Sequence, residues 1–185
     1  MTNEIFTDFD KRMGIIPRWT IVHTIQKQSV AEHCFNVERI ATRIAREWFD
    51  VDDYEGLFLI SQWALHHDDL EAVTGDIQSP VKPLFDEAAA EKLYPEVPIH
   101  HPSPLVKGIV KLADIMEWIV FALYEQQLGN KFIDDFVDYH CKQVVRFAEE
   151  RFTTHTTAHV ATRVKEWIFR MRKHPPKLCD FGRRM

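Results

Sequence analysis

Ala64-Leu65-His66-His67-Asp68-Asp69-Leu70-Glu71-Ala72-Val73-Thr74-Gly75-Asp76 decides how this chain is read. An apolar helical run ends in four consecutive side chains able to ligate a metal or carry a proton. A glutamate follows three residues after Asp68, and a Thr-Gly-Asp turn closes the stretch. Imidazole beside carboxylate suits a hard-to-borderline divalent cation, and a nearby free carboxylate can handle the proton of an activated water. The pattern implies hydrolytic chemistry.

On either side of this stretch the sequence is helical. Residues about 4–13 predict a first helix closed by Gly14 and Pro17. Arg18 to Gln28 is β-prone but isolated, and reads as an extended loop lying on helices. Ser29-Val30-Ala31-Glu32 is a capping-box pattern that starts a helix reaching Phe49. A third helix is expected from Asp52 to His67. A turn region over Asp69–Asp76, the Ser79-Pro80-Val81-Lys82-Pro83 segment and a short helix to Leu93 follow. Four prolines between 95 and 104 mark a connector. A long helix from Leu105 to Leu128 ends at Gly129-Asn130, and two amphipathic helices, about 131–152 and 157–173, complete an all-α bundle.

Composition bounds the function. The chain has 185 residues, enough for one domain that buries about 70% of its unfolded surface. A formal net charge of −5 argues against general nucleic-acid affinity. Three widely spaced cysteines, Cys34, Cys141 and Cys179, read as reduced thiols of a cytoplasmic protein. The first residues have neither a basic nor an apolar segment of a secretory signal. Lys107, Lys111, Asp114 and Glu117 interrupt the longest apolar stretch, so no membrane span is expected.

Three further helices and loops offer partners for His67 and Asp68. His33 shares a helical face with Val30, Val37, Ile40 and Ile44, which should face the core. It reads either as a core histidine bonded to a carbonyl or as a ligand. Asp114 belongs to the polar stripe Lys107, Lys111, Asp114, Glu117 on an otherwise apolar helix. That stripe is either a solvated face or, since such a helix should run through the bundle, the lining of a cavity. Two histidines and two aspartates on three helices would make a four-ligand site. Arg18 can fork onto phosphate oxygens, and Trp19 either faces a base or sugar or packs its loop onto the bundle. Lys82 and Lys111 are candidate counter-charges for phosphate. Weaker patterns are His155/His159, His100-His101, Asp180-Phe181-Gly182 and the basic tail from Arg170 to Arg184.

In order along the chain, Arg18-Trp19, Ala31-Glu32-His33, His67-Asp68-x-x-Glu71-x-x-Thr74-Gly75-Asp76, Pro80-Val81-Lys82 and Lys111-Leu112-Ala113-Asp114 resemble the YfbR-like 5′-deoxynucleotidases of the HD-domain phosphohydrolases. The resemblance covers about residues 10–120. It implies one HD domain over residues 1–185, a bundle of six to eight helices. It implies one divalent metal (cobalt, manganese or zinc) on His33, His67, Asp68 and Asp114, with Glu71 handling the proton of the attacking water or of the leaving group. Arg18 would hold phosphate, while Trp19 and Asp76 would position a deoxyribose. The implied substrate is a small 2′-deoxyribonucleotide, a 2′-deoxynucleoside monophosphate cleaved to the deoxynucleoside and phosphate, and the implied state is a homo-oligomer, dimer or hexamer. Ile21 and the short Lys82–Asp114 interval also resemble the phage dATP triphosphohydrolases of the same family. In those, Lys82 and Lys111 would meet the β- and γ-phosphates and tripolyphosphate would leave.

Overall fold

Ser29 caps the helix that organises the molecule. Its hydroxyl accepts from the Glu32 amide, and the Glu32 carboxylate accepts from the Ser29 amide at 2.8 Å. This reciprocal bonding satisfies two amides that a helix start would leave without partners. In the computed structural model, which describes residues 8–77, 82–84, 89, 92 and 102–175, the α-helices with both ends among the described residues are α1 (Asp8–Ile15), α2 (Val30–Phe49), α3 (Tyr54–His66), α4 (Glu71–Thr74), α5 (Pro104–Gln127), α6 (Asp134–Arg151) and α7 (His159–Lys173). Single 3-10 turns lie at Lys82–Leu84 and Lys131–Ile133. Among the described residues there is no strand, only one isolated antiparallel bridge between Pro17 and Ser29.

Helix α5 is the axis. Fifteen of its 24 residues are buried, because it packs against α2, α3 and α6 at once. Val37, Ala41, Ile44 and Trp48 of α2, Ile60 and Ala64 of α3, and Val144 and Ala148 of α6 close around Ile109, Leu112, Met116 and Ile119 of α5. Helix α7 packs on α6. Ser103 caps α5 and Pro104 occupies its first turn, where the missing amide costs nothing. At the other end Gly129 takes φ +92°, the conformation that ends the helix.

The helix boundaries expected from the sequence agree within a few residues, and the Arg18–Gln28 loop lies across the bundle as read. Two details differ. The first helix passes through Gly14 to Ile15, and the Asp69–Asp76 turn contains the four-residue α4. The segment 78–81, the end of the short helix near Leu93, His100-His101, Asp180-Phe181-Gly182 and most of the basic tail lie outside the described residues. His159 is structural: its Nε2 donates to the Trp48 carbonyl at 2.7 Å. Cys34 and Cys141 are both buried and free. No helix among the described residues is long and apolar enough to cross a membrane.

The loop before α2 is held from below by one carboxylate. Glu125, fully buried on α5, accepts from the amides of Ile25 at 2.6 Å and Gln26 at 2.8 Å and from Asn130 Nδ2 at 2.8 Å. Asn130 also donates to the His23 carbonyl. Removing the acceptor leaves three donors with poor alternatives. Glu125→Ala is expected to lower the unfolding free energy by more than about 2 kcal/mol, read by urea denaturation, against about 0.5–2 kcal/mol for Ser29→Ala.

Candidate metal centre and active site

Burial on α2 places His33 where the sequence put it, with no exposed surface. Its Nδ1 is 2.8 Å from Glu117 Oε2 on α5. A carboxylate can only accept, so Nδ1 carries the proton and Nε2 presents its lone pair. His67, just past the end of α3, repeats the arrangement with the Ala64 carbonyl 2.8 Å from Nδ1. Both Nε2 atoms are buried without a hydrogen-bond partner. Asp68 Oδ2 lies 3.4 Å from His67 Nε2 and 3.6 Å from His33 Nε2, and ligand atoms of these three residues fall within 4.8 Å of one another. Asp114 Oδ1 adjoins them, 3.2 Å from His33 Nε2, and its Oδ2 takes the Lys111 ammonium at 2.6 Å. Two lone pairs and a carboxylate converging in a dry pocket fit a divalent cation. His66 and Asp69 do not join the cluster; they bond each other at 2.8 Å.

The electrostatics follow from this crowding. Burial and Arg18 oppose a second proton on His33, yet the adjacent Asp114 and Glu117 carboxylates outweigh them and raise it to about 9. Proton and cation therefore compete for the same Nε2. Burial lowers His67. Burial works against the Asp68 and Asp114 charges, but the basic groups around them win: the His67 ring and the Lys82 ammonium hold Asp68 below its usual range, and Lys111 and His33 hold Asp114 well below it. Glu71 behaves oppositely. Burial first and Asp68 second push it up to about 8, against the pull of Lys82 and Arg18. Such a carboxyl can take or give a proton near neutrality.

Asp68, Glu71 and Asp114 line a cavity of about 650 Å³. Arg18, Trp19, Ile21, Glu71, Asp76, Lys82 and Lys111 all reach it, as does Asp114. Arg18 Nη1 stands 3.7 Å from Asp68, and Lys82 Nζ stands 3.5 Å from Asp68 and 3.7 Å from Glu71. Trp19 packs its loop onto the bundle, one of the two readings the sequence allowed. It is buried at φ +65°, stacked on Phe121 with centroids 4.9 Å apart, and still forms cavity wall. Part of the wall is aromatic: Trp118, Phe136, Tyr139 and His140, whose pKa burial lowers. Among the described residues, the buried side-chain atoms without a partner are Arg18 Nη1, His33 Nε2, His67 Nε2, Glu71 Oε2 and Trp118 Nε1. All five belong to this site. Since buried polar atoms are normally satisfied within the protein, their clustering marks a place built for a ligand.

Sequence reasoning missed the groups that hold these in place. Glu117 was visible in the polar stripe of α5, but not its task. Its Oε1 accepts from Gln28 Nε2 at 2.6 Å and Asn36 Nδ2 at 3.3 Å, and Gln28 Oε1 accepts from Trp19 Nε1 at 3.1 Å. One hydrogen-bonded chain thus runs from the His33 imidazole to the Trp19 indole. The aromatic wall carried no local signal, because Trp118, Phe136 and His140 look like core positions.

A family model described as 5′-deoxynucleotidase YfbR-like matches residues 5–97. A 5′-deoxynucleotidase of Pasteurella multocida is 33% identical over 147 residues, covering 65% of this chain and 73% of the relative. A dATP triphosphohydrolase of Acinetobacter phage SH-Ab 15497 is 34% identical over 127 residues, 56% of this chain and 60% of that one. Among solved structures, the cyanophage S-2L HD phosphohydrolase DatZ, bound to dA and one catalytic Zn²⁺, superimposes with a TM-score of 0.67 over 89% of this chain and 96% of its own. At 22% identity that likeness speaks for the fold alone.

Glu117→Gln removes the charge that fixes the His33 tautomer and is expected to weaken divalent-cation affinity about 10–100-fold. Competition titration of cobalt or zinc against a chromophoric chelator measures it; an unchanged affinity contradicts the arrangement.

Proposed function

As the chain belongs to the YfbR-like 5′-deoxynucleotidase family, we propose that it is a metal-dependent phosphohydrolase of 2′-deoxyribonucleotides that acts at the α-phosphorus and releases the deoxynucleoside. The observation that carries this reading is where the partnerless buried polar atoms among the described residues fall: on Arg18, Glu71 and Trp118, which line one cavity, and on His33 and His67, whose Nε2 atoms lie 3.6 and 3.4 Å from Asp68 in its wall. His33, His67, Asp68 and Asp114 would hold a single divalent cation such as cobalt, manganese or zinc. Bound there, the cation would polarise a phosphorus-bound oxygen and lower the pKa of water.

The chain's own residues do the rest. Glu71 Oε2, buried and without a partner, takes the proton of the attacking water and can return it to the departing 5′-oxygen. The water oxygen joins the α-phosphorus, the Pα–O5′ bond breaks with its electron pair left on O5′, and that oxygen is protonated. Arg18 and Lys82 neutralise the equatorial charge that grows in the transition state. Trp19, pinned by Gln28 and Phe121, leaves no slack beside the sugar, which disfavours a 2′-hydroxyl. Asp76 positions the deoxyribose, Ile21 borders it, and the aromatic wall receives the base.

Two outcomes test the reading. Glu71→Gln should cut kcat about 10²–10⁴-fold while bound metal, measured by elemental analysis, stays near the wild-type level; turnover at the wild-type rate removes Glu71 from its role. Across a panel of 2′-deoxy- and ribonucleotides with cobalt or manganese, kcat/KM should favour the deoxy member of each pair. Full activity after exhaustive chelation would contradict the proposal.

A further inference from the structure

Three side chains of the cavity wall have hydrogen-bonding capacity that the chemistry at phosphorus does not use: Trp118 of α5, and Asp135 and His140 of α6. Trp118 Nε1 is buried and without a partner, and an indole N–H can only donate. The face of that ring is already engaged, with Arg18 Cζ and Lys111 Nζ each 5.6 Å from it. His140 meets the indole edge to face, with centroids 5.3 Å apart. Its Nδ1 donates to the Phe136 carbonyl at 2.9 Å, which leaves the lone pair on Nε2. Burial lowers the His140 pKa and so favours that neutral ring. Asp135, a turn earlier on α6, adds a carboxylate that only accepts.

From this set of one donor and two acceptors we infer that the cavity selects guanine, so that the substrate is a 2′-deoxyguanosine nucleotide. Trp118 Nε1 would donate to O6, His140 Nε2 would accept from N1–H, and Asp135 would accept from the 2-amino group. The inference rests on the phosphohydrolase reading above and specifies its base.

The count of donors and acceptors decides among the bases. A site built around polar groups rejects a ligand that leaves them unpaired. The pairing edge of guanine carries one acceptor, O6, and two donors, N1–H and N2–H₂, which complements the wall. Adenine sets its C2–H where the second acceptor needs a donor. Cytosine and thymine each bring one donor and two acceptors, so lone pair would face lone pair. The Tyr139 hydroxyl can give or take and favours none. Arg18, Lys82 and Lys111 lie beside Asp68 or Asp114, and Glu71 and Asp76 have their tasks in the reading above, so none of these enters the count. The order along the edge follows from the packing. Trp118 and His140 are neighbours, as O6 and N1 are, which leaves the 2-amino group to Asp135. Phe136, stacked on His140 at 3.8 Å and 5.1 Å from Trp19, supplies flat surface beside these edges, the combination by which enzymes read a single base. The family match ends at residue 97, so none of the three residues falls within it.

The test uses the full chain loaded with cobalt or manganese and offers every base as both 5′-monophosphate and 5′-triphosphate. In whichever series turns over, kcat/KM for deoxyguanosine should exceed that for deoxyadenosine, deoxycytidine and thymidine by at least about tenfold. Deoxyinosine nucleotides, which lack only the 2-amino group, should fall about tenfold below deoxyguanosine. Asp135→Ala, at an exposed position, should bring that guanine-to-hypoxanthine ratio close to one. Trp118→Phe keeps a ring under the two cations and removes the N–H, and should cut the guanine-to-adenine ratio by about fivefold or more. The deoxyinosine comparison needs no variant and decides the matter if either substitution fails to fold. A level profile, a preference for another base, hypoxanthine used as well as guanine, or a ratio unmoved by Asp135→Ala would overturn this inference and leave the phosphohydrolase reading intact. Failure to hydrolyse any deoxynucleotide would remove both.

Discussion

The hydrogen bond between His33 Nδ1 and Glu117 Oε2 is the constraint on which the rest of the site depends. It crosses the packed faces of α2 and α5, with both groups buried. Burying a carboxylate is costly unless strong donors surround it, and breaking such a pair strands a charge at about 3–5 kcal/mol. Glu117 meets the requirement with His33, Gln28 and Asn36. The same contact sets the imidazole tautomer, and the tautomer turns Nε2 toward His67, Asp68 and Asp114. A packing requirement and a ligand geometry are met by one contact.

Helix α5 carries the consequences along its length. Lys111 and Asp114 line the cavity, Glu117 orients His33, Trp118 and Phe121 back the aromatic wall, and Glu125 anchors the loop that bears Arg18 and Trp19. Spacings of three and four residues keep these groups on adjoining stripes of one helix. Trp118 lies under two cations, Arg18 Cζ and Lys111 Nζ, each 5.6 Å from its ring. The indole face thereby helps hold positive charge that burial would otherwise disfavour. The loop's position is thus a property of the central helix, which explains how a segment without regular structure can form a rigid wall.

What the sequence made legible were the features with a local pattern. The Ser29–Glu32 capping box fixed the start of α2, and the apolar period around His33 marked it as core-facing. The polar stripe of α5 allowed either a solvated face or the lining of a cavity, and His67-Asp68 at a helix end pointed to a cation. Features made by tertiary contact left no such trace. Glu125 carries no local signal, because two of its partners are backbone amides about a hundred residues away. Trp118, Phe136, Tyr139 and His140 read as ordinary bundle residues until α5 and α6 were packed together. The pairing of His66 with Asp69 was equally hidden, since four adjacent ligating residues look alike until the turn assigns each a direction.

The central claim is that one divalent cation sits between His33, His67, Asp68 and Asp114. Anomalous diffraction at the zinc edge from crystals of the zinc-loaded protein tests it directly. The account predicts a single strong peak per chain, about 2.0–2.1 Å from both Nε2 atoms. A peak elsewhere, two peaks of equal strength at the site, or none at saturating zinc would contradict it.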